Sequence, residues 1–583
     1  MNTLLEIDFT FKSRQFTLLL KQAALIFKQK ERANYSKYLN TETITGFDEA
    51  SEAAFPNRVI LHACINVSTD KNKEVRKRKD YLLDFESPLD SKKFTSAIQQ
   101  HVLDRMPGGP PQNRRVRVIL NPKSGKRMAE TIYKNIEQLL KNDAKMFVKK
   151  TTTKGPDHAK QIGYKFNYEK YDTIAFISGD GLFHEFINGL LARDDWMQAK
   201  NIRLCLIPAG TGNGIACSLG LADSMSSALA CVRGCARPLD ISIVQQGAQK
   251  WASILSLTWG LVSDVDIESE RFRALGPIRL HLGAFLRIMN LRVYQGKIKY
   301  LPALDQPKSE LSKIPKCGPT CEICRSVDSA QTINNILSNS TDSLKGSNGI
   351  LKDSTGINRS GQILKGSSDT QWTIQSSSAD LTASSLSSST PSPASLSQSI
   401  NGDDTTAAPV KPLNLSSSTS SSPLSYSQSS VPSSPKVATR EIVVPQPKVP
   451  SDNPLQQSTL SEEWKTIEGD FIGFIASTVT HLSSDFIASP SAHYSDGFIE
   501  MVVIKHSPKI SKAALISILT DAETGKHIHS PFIDLYKVKA IILEPGLINK
   551  KEGILAVDGE RISYGTTSME CIRGCINLVC KDR

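Results

Sequence analysis

The chain has 583 residues, a formal net charge of +12 and eleven cysteines. That length admits about three domains with ample core, and the charge favours an anionic partner such as a nucleotide or an acidic membrane surface. Nucleic acid ranks last as a partner, because no Lys/Arg block is interleaved with aromatics, and no run of eighteen apolar residues is present to cross a membrane. Met1 to Lys30 mixes Leu with Glu6, Asp8, Lys12, Arg14 and Lys21, which is no signal-peptide pattern. The cysteines are therefore expected as reduced thiols of a cytosolic protein.

Residues 1–110 read as a separate β unit. Phe16–Leu20, Arg58–Ala63 and Tyr81–Phe85 are strand-like, and Ser91–Met106 is helix-like with Phe94, Ile98, Val102 and Met106 on one stripe. Strands closed by a helix suit a small pleckstrin-homology-like barrel or regulatory domain. The basic run Lys71–Lys79 is expected in a loop, either a solvated hairpin tip or a contact with anionic lipid. Pro107-Gly108-Gly109-Pro110-Pro111 reads as a linker.

Residues 111–238 alternate strand and helix: Val116–Leu120, Arg127–Leu140, Lys145–Thr151, Asp157–Phe166, Thr173–Ile177, Leu182–Leu191, Arg203–Ile207. This order predicts a doubly wound parallel sheet. Two strands end in glycine turns, Ser178-Gly179-Asp180-Gly181 and Pro208-Ala209-Gly210-Thr211-Gly212-Asn213. Glycines allow close backbone approach to a phosphate, and each following helix offers free N–H groups and a positive dipole end. Taken alone, Gly-Asp-Gly fits an ordinary turn with a surface acid equally well. Two such turns on successive strands match the rule for ligand sites in open α/β sheets. Neither is a Walker loop, and Ile215 stands where the dinucleotide fingerprint needs its last glycine.

From about Leu239 the pattern alternates as antiparallel strands do, as in Trp251–Leu257. Residues 239–325 and 459–583 are assigned to this β-rich subdomain. Ile278–Leu291 reads as an apolar helix. Cys317, Cys321 and Cys324 offer three thiols, whereas a structural zinc site takes four ligands. No fourth Cys or His follows closely and His281 is far away, so reduced loop cysteines are expected, with zinc the alternative. Residues 326–458 are Ser-rich and low in apolar content, and are expected as a disordered insertion. Within it, Ser422-Pro423 and Ser434-Pro435 are candidate phosphorylation sites.

Asn121-Pro122-Lys123-Ser124-Gly125 and the two glycine turns together resemble the diacylglycerol-kinase-type catalytic domain. Within that group, Trp259-Gly260-Leu261-Val262-Ser263-Asp264-Val265-Asp266-Ile267-Glu268-Ser269-Glu270 is similar to the sphingosine kinases. So are Leu482-Ser483-Ser484-Asp485, Ser495-Asp496-Gly497 and Val557-Asp558-Gly559-Glu560. The resemblance implies an α/β nucleotide-binding subdomain with a β-rich lipid-binding one. It also implies phosphoryl transfer from ATP, with Mg²⁺, to the primary hydroxyl of sphingosine and related sphingoid bases. Asp180 would be the general base. Ser178, Gly179, Gly181 and Asp266 would meet the substrate, Asp266 pairing with its ammonium. Asn121, Pro122, Lys123, Thr153, Lys154, Gly155, Pro156, Asp157, Glu185, Gly210, Thr211, Gly212, Arg273, Arg279, Asp558, Gly559 and Glu560 would serve ATP. Read without the resemblance, Asp264, Asp266, Glu268 and Glu270 form a solvated acidic loop. Ile254, Leu257, Leu261, Phe285, Leu286, Ile288 and Met289 are candidates for an alkyl pocket, or plain core. A cytoplasmic enzyme in peripheral contact with an anionic membrane is expected. Diacylglycerol or ceramide kinase is the alternative enzyme, and an inactive lipid-binding scaffold the alternative of another class.

Overall fold

The computed structural model describes residues 2–32, 34–50, 54–70, 74–124, 127–210, 212–275, 278–318, 320–345, 443–450, 463–548 and 551–581. Residues 346–442, and with them both Ser-Pro pairs, lie outside the described residues.

The N-terminal unit is one antiparallel sheet of seven strands: Thr3–Phe11, Arg14–Lys21, Ala24–Gln29, Ser36–Asn40, Ile44–Glu49, Arg58–Asn66 and Arg76–Asp84. In space the first strand lies between the second and the seventh. Helix Pro88–Ile98 closes it; Ser87 accepts from the Asp90 amide and Pro88 opens the first turn. Phe94, Ile98, Val102 and Met106 are buried along one stripe, although the chain widens to a π-type turn at Gln99–Leu103. Four of the strands escape the sequence reading. Thr3–Phe11 and Ser36–Asn40 carry polar residues on an exposed face, which dilutes their apolar pattern.

The basic run is a correction. Arg76 to Lys79 belong to a strand rather than a loop, whereas Lys71–Lys73 lie outside the described residues. Arg76 donates to the Cys64 carbonyl at 2.9 Å, and Arg78 to the fully buried Asp143 of the next unit at 2.5 Å. Arg76 thus ties two strands of its own sheet, and Arg78 joins that sheet to the α/β unit.

In that unit, Phe147–Thr152, Arg115–Leu120, Thr173–Ser178 and Arg203–Pro208 lie side by side and parallel. Every residue of Thr173–Ser178 is buried, as a central strand covered on both faces requires. The helices Ala129–Glu137, His158–Lys165, Asp180–Leu190 and Ser224–Arg233 cover the sheet. The last long strand, Thr567–Val579, runs parallel to Arg203–Pro208 through the Arg203–Asn577 and Leu204–Leu578 pairs. It is antiparallel to Ala236–Gln246 and Ile533–Pro545. One strand thus joins the parallel half to the antiparallel half, and the sheet is continuous across the two. In the β-rich half, Lys465–Ser477 pairs with Tyr294–Pro302, Ser256–Gly260 and Ile499–Lys505. Segments from before and after the Ser-rich stretch therefore share one sheet. Trp259, Tyr294, Phe471 and Phe474 are fully buried beneath it; each aromatic pair there adds about 0.5–1.5 kcal/mol beyond area burial.

The ends of the expected insertion also need correction. Residues Ser329–Lys345 form a helix with Ile333 and Leu337 buried. Val449 is buried, and the Lys448 amide donates to the Leu191 carbonyl at 2.7 Å. Average composition hides these sparse apolar residues, which suffice because a ready-made surface receives them.

Candidate active site

Three turns at the carboxyl ends of parallel strands open into one cleft of about 1750 Å³. Its floor is Asn121–Ser124, Gly179–Gly181 and Gly210–Asn213; Gly125 and Thr211 lie outside the described residues. The two glycine turns touch backbone to backbone. A Cβ on Gly210 would stand 2.5 Å from the Gly179 Cα, so that approach excludes a side chain. Asn213, at a φ of 53°, clamps the second turn: its Oδ1 accepts from the Gly210 amide and its Nδ2 donates to the Gly210 carbonyl, both at 2.9 Å. Asn121 Oδ1 likewise accepts from the Lys123 amide at 3.0 Å.

Asp180 opens helix Asp180–Leu190 and reaches across to the start of helix Gly214–Ser218. Its oxygens accept from the Gly214 amide at 2.7 Å and the Ile215 amide at 3.3 Å. Burial pushes this carboxyl up to about 6, against the pull of those amides, and the nearby Asp558 charge adds to the rise. A partly buried carboxylate that faces the cleft with elevated proton affinity is suited to proton transfer near neutral pH.

Glu185, one turn on, accepts from the Ala159 amide at 3.2 Å and so caps helix His158–Lys165. Asp157, at a φ of 59°, precedes this helix, and its side chain caps nothing. Burial raises the Glu185 carboxyl, with the amide bonds opposing.

Asp558 departs most from expectation. At a φ of 51° it turns inward, and its side chain is 1% exposed. It accepts from the Ser253 hydroxyl at 2.7 Å, the Ile254, Leu255 and Ser256 amides at 2.8, 2.9 and 3.0 Å, and His184 Nδ1 at 2.7 Å. Burial alone would raise this carboxyl. The His184 bond and charge, with the Ile254 and Ser253 donors, outweigh burial and hold it below its ordinary range. Asp558 borders the cleft with its lone pairs already taken by protein donors, and it fixes the His184 helix against the β-rich half. Asn188 repeats the tie, exchanging two hydrogen bonds with the Ala252 backbone at 2.9 and 3.0 Å. Sequence reading missed both His184 and Asn188; their i, i+4 spacing on one helix face was the available signal.

The acidic segment is a helix, Leu261–Glu268, and not a solvated loop. Asp264 is fully buried against the Tyr294 hydroxyl at 2.5 Å and Arg292 at 3.3 Å, and Glu268 pairs with Arg287 and Arg292. Asp266 differs: its carboxylate has no hydrogen-bond partner among the described residues, and it lines the cleft. Burial pushes it up to about 6, Arg279 pulls it down, and Glu270 and Glu560 add to the rise. Gly559 lies opposite, where a Cβ would stand 3.3 Å from Asp266 Oδ2.

Beyond Asp266 the cleft wall is apolar. Leu261, Phe285 and Ile288 line it as expected, with Val265, Ile516 and Leu519 added from neighbouring helices. Ile254 and Leu257 are plain core, and Leu286 and Met289 face outward.

Most of the expected site therefore converges. Asn121, Pro122, Lys123, Thr153, Lys154, Gly155, Pro156, Asp157, Gly179, Asp180, Gly181, Glu185, Gly210, Gly212, Asp266, Arg279, Gly559 and Glu560 all line the cleft. Ser178 does not: it is buried at the strand end and donates to the Gly179 carbonyl at 2.8 Å. The Arg273 side chain lies outside what is described. Arg279 is held by Glu270 at 2.6 Å and by Ser269 at 3.1 Å. Arg127, at a φ of 67°, lines the cleft beside Asn121–Ser124 and was not anticipated in the site.

Residues 115–244 match the diacylglycerol kinase catalytic domain, and residues 473–580 match the YegS C-terminal NAD kinase beta sandwich-like domain. Sphingosine kinase B of Dictyostelium discoideum is 41% identical, over 97% of this chain and 81% of that protein. Sphingosine kinase 2 of Homo sapiens is 30% identical, over 78% of this chain and 69% of that protein. Sphingosine kinase 1 of Arabidopsis thaliana is 28% identical, over 85% and 77%.

Proposed function

Because the chain belongs to the sphingosine kinase family, we propose that it carries phosphate from ATP to the primary hydroxyl of a sphingoid base in this cleft, with Asp180 as general base. It is a lipid kinase acting on an alcohol group. One observation carries the reading. A single cleft joins glycine turns suited to phosphates, two carboxylates raised to about 6, and an apolar wall suited to an alkyl chain.

The substrate hydroxyl oxygen forms the new bond to the γ-phosphorus. The bond to the β,γ-bridging oxygen breaks, ADP leaves, and the hydroxyl proton passes to an Asp180 oxygen. The Gly214 and Ile215 amides hold that carboxylate in place. Backbone N–H groups of the two glycine turns cradle phosphates. Asn121, Pro122, Lys123, the Thr153–Asp157 turn and Glu185 flank the nucleotide, and Arg273 and Arg279 offset phosphate charge. Asp266 pairs with the substrate ammonium. Glu560 and Asp485, hard carboxylate donors on the cleft wall, would hold Mg²⁺, which would supply neutralisation of phosphate charge.

We read the N-terminal sheet and its closing helix as pleckstrin-homology-like, on strand count and order. We retain a catalytic α/β unit over 111–238 and a β-rich lipid-binding unit on either side of the Ser-rich stretch. No helix of the described residues is long and apolar enough to cross a membrane. Peripheral contact with an anionic membrane is supported by helix Ile278–Met289, which lines the cleft through Phe285 and exposes Ile278, Leu286 and Met289 outside it.

The test is transfer from labelled ATP with Mg²⁺ to sphingosine, diacylglycerol and ceramide, for the wild type and Asp180→Asn. Transfer to sphingosine that collapses in the variant is the expected result. Preference for diacylglycerol or ceramide would overturn the role of Asp266. ATP binding without transfer to any lipid would make the protein a scaffold.

A further inference from the structure

Cys317, Cys321 and Cys324 lack a fourth partner in the sequence around them. The fold supplies one. His493 lies 169 residues beyond Cys324, on the far side of the Ser-rich stretch, and its imidazole is packed against the three sulfurs. Its Nδ1 is 3.2 Å from Cys321 Sγ and 3.9 Å from Cys324 Sγ, and Cys317 Sγ is 3.5 Å from Cys324 Sγ. All four ligand atoms lie within 4.8 Å of one another.

We propose that Cys317, Cys321, Cys324 and His493 form a structural zinc site that staples the segment before the Ser-rich stretch to the β-rich domain after it.

The spacing fits the ion. Zinc bonds thiolate sulfur at about 2.3 Å and imidazole nitrogen at about 2.0–2.1 Å, so the edges of its tetrahedron are roughly 3.5–3.8 Å. The measured separations bracket that range without any backbone movement. They do not fit a disulfide, whose sulfurs stand about 2.05 Å apart, and a disulfide would leave one thiol and the imidazole unmatched. His493 is 1% exposed, and its Nε2 has no hydrogen-bond partner among the described residues. The polar engagement of this buried ring is therefore its Nδ1 face toward the sulfurs. Three acceptor sulfurs around one imidazole satisfy one another poorly, whereas a cation at their centre satisfies all four.

The surroundings also suit bound thiolates. The Tyr494 amide points at Cys317 sulfur, the Cys324 amide at Cys321 sulfur and the Ser495 amide at Cys324 sulfur. Three thiolates on a divalent ion leave one negative charge. Two arginines stand over the same backbone: Arg237 donates to the Gly318 carbonyl at 2.7 Å, and Arg573 to the Ser326 and Val327 carbonyls at 2.6 and 2.8 Å. Soft sulfur with one imidazole in a four-fold set selects zinc over Mg²⁺ or Ca²⁺. All four positions are filled by protein, which marks a structural site rather than one that activates water. Cys317 and Cys324 pack on the core of the α/β half, and Cys321 on the core of the helix-covered β-rich half. The ion would therefore close a long loop where two cores meet, and a clip across a long loop gains most from lost chain entropy.

The test is the metal content of the full chain, purified without a polyhistidine tag in reducing buffer and freed of loose metal by gel filtration. One zinc per chain is expected. It should be lost in Cys317→Ser, Cys324→Ser and His493→Ala, and retained in His493→Cys and in the control Cys64→Ser. Replacement by Co²⁺ in the unsubstituted protein should give sulfur-to-cobalt charge-transfer absorption and the visible bands of a tetrahedral site. This second measurement decides the matter should a variant fail to fold. Unsubstituted protein that holds no zinc after reconstitution, variants that keep it in full, or a cobalt spectrum without thiolate bands would each overturn the site. Transfer of phosphate is not part of this readout, so the outcome is independent of the roles given to Asp180 and Asp266.

Discussion

Asp180 and Asp558 stand in similar turns, each beside glycine at the end of a strand, yet the protein treats them oppositely. Asp180 accepts from the Gly214 and Ile215 amides, faces the cleft and is raised to about 6. Asp558 takes three amides, a hydroxyl and an imidazole, is sealed from water, and is lowered. Burial acts on both; the number and charge of the donors decides the sign. The proposed general base is the acid left short of partners. An acid meant to hold two halves of a fold must have them all.

Substitution is the strongest test of that contrast. Asp180→Asn should lower kcat about 10²- to 10⁴-fold while leaving the unfolding midpoint near that of the wild type. An equal loss of stability and rate would merge the two roles.

Asp558→Ala should do the reverse, costing about 3–5 kcal/mol in urea unfolding because the donors and His184 are left facing a void. Because its folded carboxyl lies below the ordinary range, its contribution is present above that range and is lost as the pH falls from there through the lower folded value. The wild type should therefore weaken on acidification more steeply than the variant.

Asp266→Asn should raise KM for a sphingoid base roughly tenfold to a hundredfold, the worth of a charge-assisted contact of about 1.5–3 kcal/mol. An N-acylated substrate, lacking the ammonium, should be indifferent to the change. Asp180 and Asp266 are both raised to about 6 and both act ionised in the proposed mechanism. The acid limb of kcat/KM should then fall with a slope approaching two below pH 6, and with a slope of one in Asp266→Asn. A single-proton limb in the wild type would separate one of them from the reaction.

The smallest effect belongs to Glu185→Ala, which removes the cap on helix His158–Lys165 and should cost about 1 kcal/mol, read by thermal unfolding with ATP absent.

The strand–turn–helix order around Asp180 was legible because it rests on local patterns: a buried β-branched run, two glycines and an apolar stripe at helical spacing. Strand ends and helix starts along 115–208 moved by only a residue or two. The helix over Leu261–Glu268 was not legible, since its acids read as solvated until Arg287 and Arg292 are packed against Asp264 and Glu268. The same holds for the strands of the N-terminal sheet with one polar face.

The sequence alone thus determined the glycine turns, the alternation of strand and helix, and the family likeness, because backbone conformation and periodicity are settled within a few residues. Only the tertiary structure decided which acid is spare and which is spent, and that three cysteines have a histidine. Asp558 meets His184 across 374 residues, and His493 meets Cys321 across 172. Such partners are chosen by how remote segments pack, and no local pattern along the chain encodes that distance.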